Sequence, residues 1–160
     1  MRGINHVALV TRDLARLTAF YTEVFGAEPA YERTENDRGR GLDFLRVGSV
    51  VLHVFERPGE APGGISDEAA SEPLARGRVD HVALEADDTE EFAAVRDRLI
   101  ALGAAGPEVI DFGPLVSLFA TDPDGSQVEV ALLRPPGWEP PFALTPPRAR
   151  SLSSRTRPWG

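Results

Sequence analysis

The sequence predicts an α+β fold built from two successive βαβββ modules. Three observations carry this. The segment Ile-Asn-His-Val-Ala-Leu at 4–9 returns 75 residues later as Val-Asp-His-Val-Ala-Leu at 79–84, with His, Val, Ala and Leu matching in order. Each copy is followed by a polar step, an apolar run at helical spacing, and a glycine. Apolar segments with strand spacing then close each half. A repeat of this kind marks a duplicated structural unit.

The first copy, residues 4–10, reads as a buried strand that puts His6, Ala8 and Val10 on one face. Thr11, Arg12 and Asp13 offer helix N-caps, and Leu14, Leu17, Tyr21, Val24 and Phe25 form one helical stripe that Gly26 ends. Strands are expected at 29–34, 42–47 and 50–55, the last two joined by the short turn Gly48-Ser49. Val51, His53 and Phe55 share a face of the last strand.

The second copy starts at Val79. Asp88 and Glu91 form a capped helix start, and Phe92, Val95, Leu99 and Leu102 form the stripe up to Gly103. Strands are expected at 108–112, 115–121 and 127–133, with the turn Asp122-Pro123-Asp124-Gly125 between the last two. Each sheet is expected to be mixed, because a crossover helix implies a parallel pair and hairpins imply antiparallel ones.

The module boundaries fall at 1–57 and 79–134. Residues 58–78, rich in Pro and Gly, read as a linker, with a helical turn possible at 66–75. Residues 135–160 form a Pro/Arg-rich C-terminal arm carrying Trp138, Phe142 and Trp159. It either packs on its own domain or a partner, or closes a site mouth.

Composition bounds the function. The chain has 160 residues, 42% of them hydrophobic, which suits a globular protein. A net charge of −8 argues against nucleic acid, whose phosphates need a basic face. The absence of cysteine excludes disulfides and thiolate metal sites. No apolar run reaches the ~18 residues of a membrane span. The start Met1-Arg2-Gly3 runs straight into the first strand, so no signal peptide is expected and the protein is expected in the cytoplasm.

The chemistry concentrates on the repeat. The chain has three His. His6 and His81 are equivalents, and the counterpart of His53 is Glu129, 76 residues on. If the two halves face one another about a pseudo-twofold axis, three imidazoles and a carboxylate converge, a donor set that suits a divalent transition metal. Imidazoles favour Fe, Ni, Co, Zn or Mn over Mg or Ca. Such an ion would act as a Lewis acid on a substrate chelating through neighbouring oxygens. Glu129 and His53 are the candidates for moving the proton.

The His-Val-Ala-Leu strand, the helix ending Phe-Tyr-x-x-Val-Phe-Gly and the Asp-Pro-Asp-Gly-x-x-Val-Glu-Val segment resemble the vicinal oxygen chelate superfamily over residues 3–57 and 78–134. That group holds glyoxalase I, methylmalonyl-CoA epimerase, extradiol dioxygenases and bleomycin-resistance proteins. The resemblance implies that the two modules form a cup, with metal ligands at His6, His53, His81 and Glu129. The Asp-Pro-Asp-Gly turn supports the family and has no chemistry of its own.

Departures from each branch narrow the member. Glyoxalase I carries a carboxylate where His53 stands and commonly a glutathione-binding Arg where Val10 stands. The epimerases usually place Gln at His53. Extradiol enzymes use a His, His, Glu triad, which His6, His81 and Glu129 match. They add an acid–base His that this chain lacks and a Tyr near where Phe119 lies.

The leading expectation is a metal-dependent lyase or isomerase of the glyoxalase I/epimerase type. The alternatives are an extradiol-type dioxygenase and a metal-free small-molecule binding protein. Phe55, Arg46 and Phe119 are the expected substrate contacts, with Arg46 suited to an anionic group and the polar loop of Asn36, Arg38 and Arg40 near the cup. The partner is a small molecule and not a membrane. A homodimer is expected, and the site forms either within one chain or across it.

Overall fold

A computed structural model describes residues 4–32, 41–57, 81–134 and 136–146. Asn36, Arg38, Arg40, the linker with its 66–75 segment and the arm beyond 146 lie outside the described residues.

The first module contains β1 (Val7–Thr11), α1 (Leu14–Phe25), β2 (Glu28–Pro29), β3 (Leu42–Val47) and β4 (Val50–Glu56). Its sheet runs β1-β4-β3-β2, with β1 parallel to β4 and the other pairs antiparallel. The second module contains β5 (His81–Glu85), α2 (Thr89–Ala101), β6 (Val109–Asp111), β7 (Leu115–Thr121) and β8 (Gln127–Leu133). Its sheet runs β5-β8-β7-β6-β9, where β9 (Leu144–Thr145) comes from the arm. The expected mixed sheets are therefore present, and β5 lies parallel to β8 as β1 does to β4.

The helices form where local chemistry directs them. Asp13 caps α1 by accepting from Arg16 N at 3.0 Å, and Asp88 caps α2 by accepting from Glu91 N at 2.8 Å. Glu91 reaches back to Asp87 N at 2.7 Å, so the acidic pair closes the first turn from both sides. Gly26, with φ of 63°, ends α1 in the left-handed conformation, and Gly103, with φ of 68°, follows the end of α2.

One apolar cluster joins the modules. Leu17, Tyr21 and Val24 of α1 pack on Leu52 and Val54 of β4, and Phe92, Val95 and Leu99 of α2 pack on Leu118, Val128 and Val130. Both helices lie in this cluster, and Arg98 of α2 donates from Nε to the carbonyl of Val24 at 2.8 Å. Among the described residues, the opposite face of each sheet carries no helix. On these helix-free faces lie Ala8, Val10, His53, Phe55, Phe44 and Arg46 in the first module, and His81, Ala83, Glu129, Ser117 and Phe119 in the second.

Several expectations are corrected. Of the strand expected at 29–34, the described residues 29–32 keep only Pro29 in β2 (Glu28–Pro29), and the pairing ends where Ala30 N reaches Phe44 O; residues 33 and 34 lie outside the described residues. The first strand begins at Val7 and leaves His6 just outside it. The segment expected at 108–112 is a strand only over Val109–Asp111. Leu102 is 47% exposed, because the helix stops at Ala101 and Leu102 becomes its cap.

The described part of the arm, residues 136–146, packs on the second module. Phe142 packs on Phe92 at 5.3 Å between ring centroids, Trp138 Nε1 donates to Thr89 Oγ1 at 2.8 Å, and Leu144 and Thr145 pair in parallel with β6. These described arm residues cover the start of α2 and the outer edge of the second sheet.

The Asp-Pro-Asp-Gly turn does more than reverse the chain. Asp122 Oδ1 accepts from Asp124 N and Ser126 N, which folds the turn. The Asp124 carboxylate, with its side chain only 1% exposed, then reaches the first module. It accepts from Thr11 Oγ1 at 2.5 Å, Arg12 N at 3.3 Å and Arg16 Nη2 at 2.9 Å. The turn is thus a tether between modules more than 100 residues apart in sequence.

Candidate functional site

The four residues singled out by the repeat form two pairs. In the first module the rings of His6 and His53 stack at 3.9 Å between centroids with an interplanar angle of 5°. His6 Nδ1 lies 2.9 Å from Asn5 Oδ1, which only the Nδ1–H tautomer can serve as donor. That tautomer leaves the Nε2 lone pair for a ligand, the arrangement found in metal-binding histidines. Phe44 stands edge-on to His53 at 4.9 Å, and Tyr31 stands edge-on to Phe44 at 5.5 Å. Partial burial, and secondarily the neighbouring His6, lower the pKa of His53 below its ordinary 6.5. His53 is therefore neutral near pH 7, as a ligand or a base must be.

In the second module His81 Nε2 lies 2.8 Å from Glu129 Oε2. The other carboxylate oxygen, Oε1, accepts from Ser117 Oγ at 2.5 Å. Glu129 and Ser117 are both buried. Phe119 pairs directly with Glu129 across β7–β8 and stands edge-on to His81 at 5.6 Å.

Strand register confirms that the pairs correspond. Ala8 faces His53 and Ala83 faces Glu129, while Phe44 faces His53 and Phe119 faces Glu129. The donor types in both pairs suit a borderline transition ion. Within one chain, no group of three His, Asp or Glu among the described residues could hold a single ion. The end strands β1 and β5 leave Ala8, Val10, Ala83 and Glu85 exposed beside the two pairs.

The expected substrate contacts fall on the same faces. Phe55 is partly buried, with Val10 and Leu42 opposite it in register. Arg46 is exposed, opposite Val51 and Glu28. Sequence reading missed Ser117 and Tyr31. The alternation of β7 places Ser117 on the face of Phe119, but nothing local marks a serine as the partner of a residue on the next strand. Tyr31 falls in the segment expected as a strand over 29–34 and lies two residues past the end of β2.

The comparisons with known proteins agree with this architecture. The chain is 29% identical to an ethylmalonyl-CoA/methylmalonyl-CoA epimerase of Cereibacter sphaeroides, over 79% of this chain and 95% of that protein. A lactoylglutathione lyase structure from Agrobacterium tumefaciens is 28% identical, with a TM-score of 0.56, covering 82% of this chain and 94% of the other. A fosfomycin resistance protein, FosX, from Listeria monocytogenes, solved with Mn(II) and sulfate, shares the fold at a TM-score of 0.59 and 20% identity, covering 84% and 94%. A family model matches residues 3–130, and the chain belongs to the Glyoxalase/Bleomycin resistance protein/Dioxygenase superfamily.

Proposed function

We propose that this protein is a metal-dependent isomerase of the epimerase type, moving a proton on a carbon next to a carbonyl. The observation that carries the reading is the direct pairing of His81 with Glu129 at the register position that His6 and His53 occupy in the other module. The epimerase relative supports the reaction class. His6, His81 and Glu129 would hold the ion, with His53 beside it as the second acid–base group, and the ion would supply Lewis-acid polarisation of a carbonyl oxygen.

The chain's own groups do the rest. Inversion at a carbon needs a base on one face and an acid on the other. Glu129 and His53 stand at equivalent positions of the two modules and fill these roles once a second copy brings them together. Glu129 takes the proton through Oε2, and the C–H electron pair moves into the carbonyl. His53, in the minority of molecules that carry it protonated, returns a proton from the opposite side, and the roles reverse for the other stereoisomer. Phe44, Phe55 and Phe119 exclude water around the reacting carbon, and Arg46 meets an anionic group of the substrate.

The site is assembled from two copies of the chain in a homodimer. The helix-free faces of β1 and β5 are the exposed ones, and the pairs they carry do not meet among the described residues of one chain. A second copy brings the first pair of one chain against the second pair of the other.

The dioxygenase reading is weaker. The chain has two Tyr. Tyr21 is buried in the helical core, where burial first, then the charges of Asp122 and Asp124, raise its pKa well above the ordinary value. Tyr31 lies with the first pair, away from Glu129's neighbour Phe119.

The test is metal content of the purified protein, followed by incubation of the metal-loaded protein with racemic methylmalonyl-CoA in D2O. Deuterium at the carbon between the two carbonyls, lost on chelation and restored by Co(II) or Mn(II), is the expected result. A protein that stays empty after reconstitution, or a loaded one that exchanges nothing, sinks the reading.

A further inference from the structure

We propose that Ser117 is a positioning residue that fixes Glu129 so that only Oε2 is presented to the ion and the substrate. The inference rests on the metal-dependent reading above. Ser117 is fully buried in the middle of β7, where an unpaired hydroxyl would be costly. Its Oγ donates to Glu129 Oε1 at 2.5 Å, while His81 Nε2 lies 2.8 Å from Oε2. The two oxygens are thus assigned different partners. The last torsion of a glutamate is broad and nearly twofold, so a free carboxylate can turn either oxygen, or both, toward a cation. A buried donor on Oε1 removes that freedom.

The internal repeat isolates the device. Ser117 pairs with Ala131 and Leu42 pairs with Phe55, which makes Leu42 the counterpart of Ser117 in the first module. The counterpart of Glu129 there is His53, whose plane is set by stacking on His6. An imidazole held by a ring needs no hydroxyl, whereas a buried acceptor-only carboxylate does. The two modules depart from their symmetry at both positions together: Ser with Glu, Leu with His.

The experiment measures Co(II) affinity by chelator competition, and the visible spectrum of bound Co(II), for the wild type, Glu129→Ala, Ser117→Ala, Ser117→Val and Ser117→Thr. Cooperative thermal unfolding is checked for each. Val and Thr have nearly the same shape and differ in the hydroxyl. The expected result is affinity about 10- to 100-fold weaker and a shifted visible band for Ala and Val, with Thr close to wild type. Val and Thr behaving alike, or Ala matching the wild type, would overturn the role of Ser117 and leave the metal reading standing. A wild type that takes up no Co(II) would remove both.

Discussion

His53 and Glu129 occupy the same position in the two sheets. Each lies one strand in from an end strand, with an alanine opposite on one side (Ala8 or Ala83) and a phenylalanine on the other (Phe44 or Phe119). One duplicated strand has kept its setting and exchanged an imidazole for a carboxylate. Each module therefore carries one of the two residues on the same face of its sheet.

If the two halves of the site come from different copies, two dead variants should rescue one another. His6→Ala and Glu129→Ala are each expected to lose bound metal and activity. After unfolding and refolding together, mixed dimers hold one intact site and one doubly broken site. The mixture should recover about a quarter of wild-type activity at equal proportions, with bound metal rising in step. A mixture as inactive as its components means that the site lies within one chain.

Asp124→Ala should loosen the contact between modules. It removes a nearly buried carboxylate, leaves the N–H of Arg12 without its acceptor and leaves the hydroxyl of Thr11 only the carbonyl of Asp13. A loss of about 2–4 kcal/mol in denaturant unfolding is expected. Arg16→Ala should cost under about 1 kcal/mol, since the Arg16 side chain is 48% exposed. Equal effects would show that the ion pair, not the buried acceptor, holds the tether.

The pH dependence of Asp122 has a definite sign. Burial, outweighing the N–H groups of Ser126 and Asp124, raises its pKa above the ordinary 3.8. The folded state therefore keeps this proton to higher pH than the unfolded chain does. The stabilisation from the protonated form is complete below 3.8 and is lost as pH rises through the folded value. Asp122→Asn retains an acceptor oxygen for both N–H groups and cannot ionise. Its Tm relative to wild type should climb as pH rises above 3.8 and level off once the pH has passed the folded value. A gap that narrows over that range would show that hydrogen bonding wins over burial.

Phe142→Ala should destabilise the second module without touching metal binding. Phe142 packs on the fully buried Phe92 and on Trp138, with the Arg96 guanidinium 5.6 Å from its centroid. A partly buried aromatic in this setting is worth about 1–3 kcal/mol. Unchanged Co(II) affinity is expected, because these contacts lie on the helix side of the sheet. Weaker Co(II) binding would place the arm at the site instead.

What the sequence determined by itself is local or periodic. Asp13 and Asp88 cap the helices because each is followed by amides it can reach within one turn. Gly26 and Gly103 mark helix ends because glycine adopts positive φ without strain. Alternation puts His53 with Phe55, and the repeat matches His6 to His81 and His53 to Glu129. These follow from nearest-neighbour rules and from copying.

Tertiary structure decided what depends on distant partners. Nothing local in Asp122-Pro123-Asp124-Gly125 says that Asp124 will meet Thr11, 113 residues away. Nothing in residues 136–146 says that Leu144 and Thr145 will extend a sheet, because a strand of two residues exists only through the edge it joins. Ser117 became visible as the partner of Glu129 only once the register of β7 on β8 was set. The repeat matches His6 to His81 and His53 to Glu129, whereas the contacts of His6 with His53 and of His81 with Glu129 come from the folded sheets. Where each pair finds its complement depends on packing between surfaces, which periodicity along one chain does not encode.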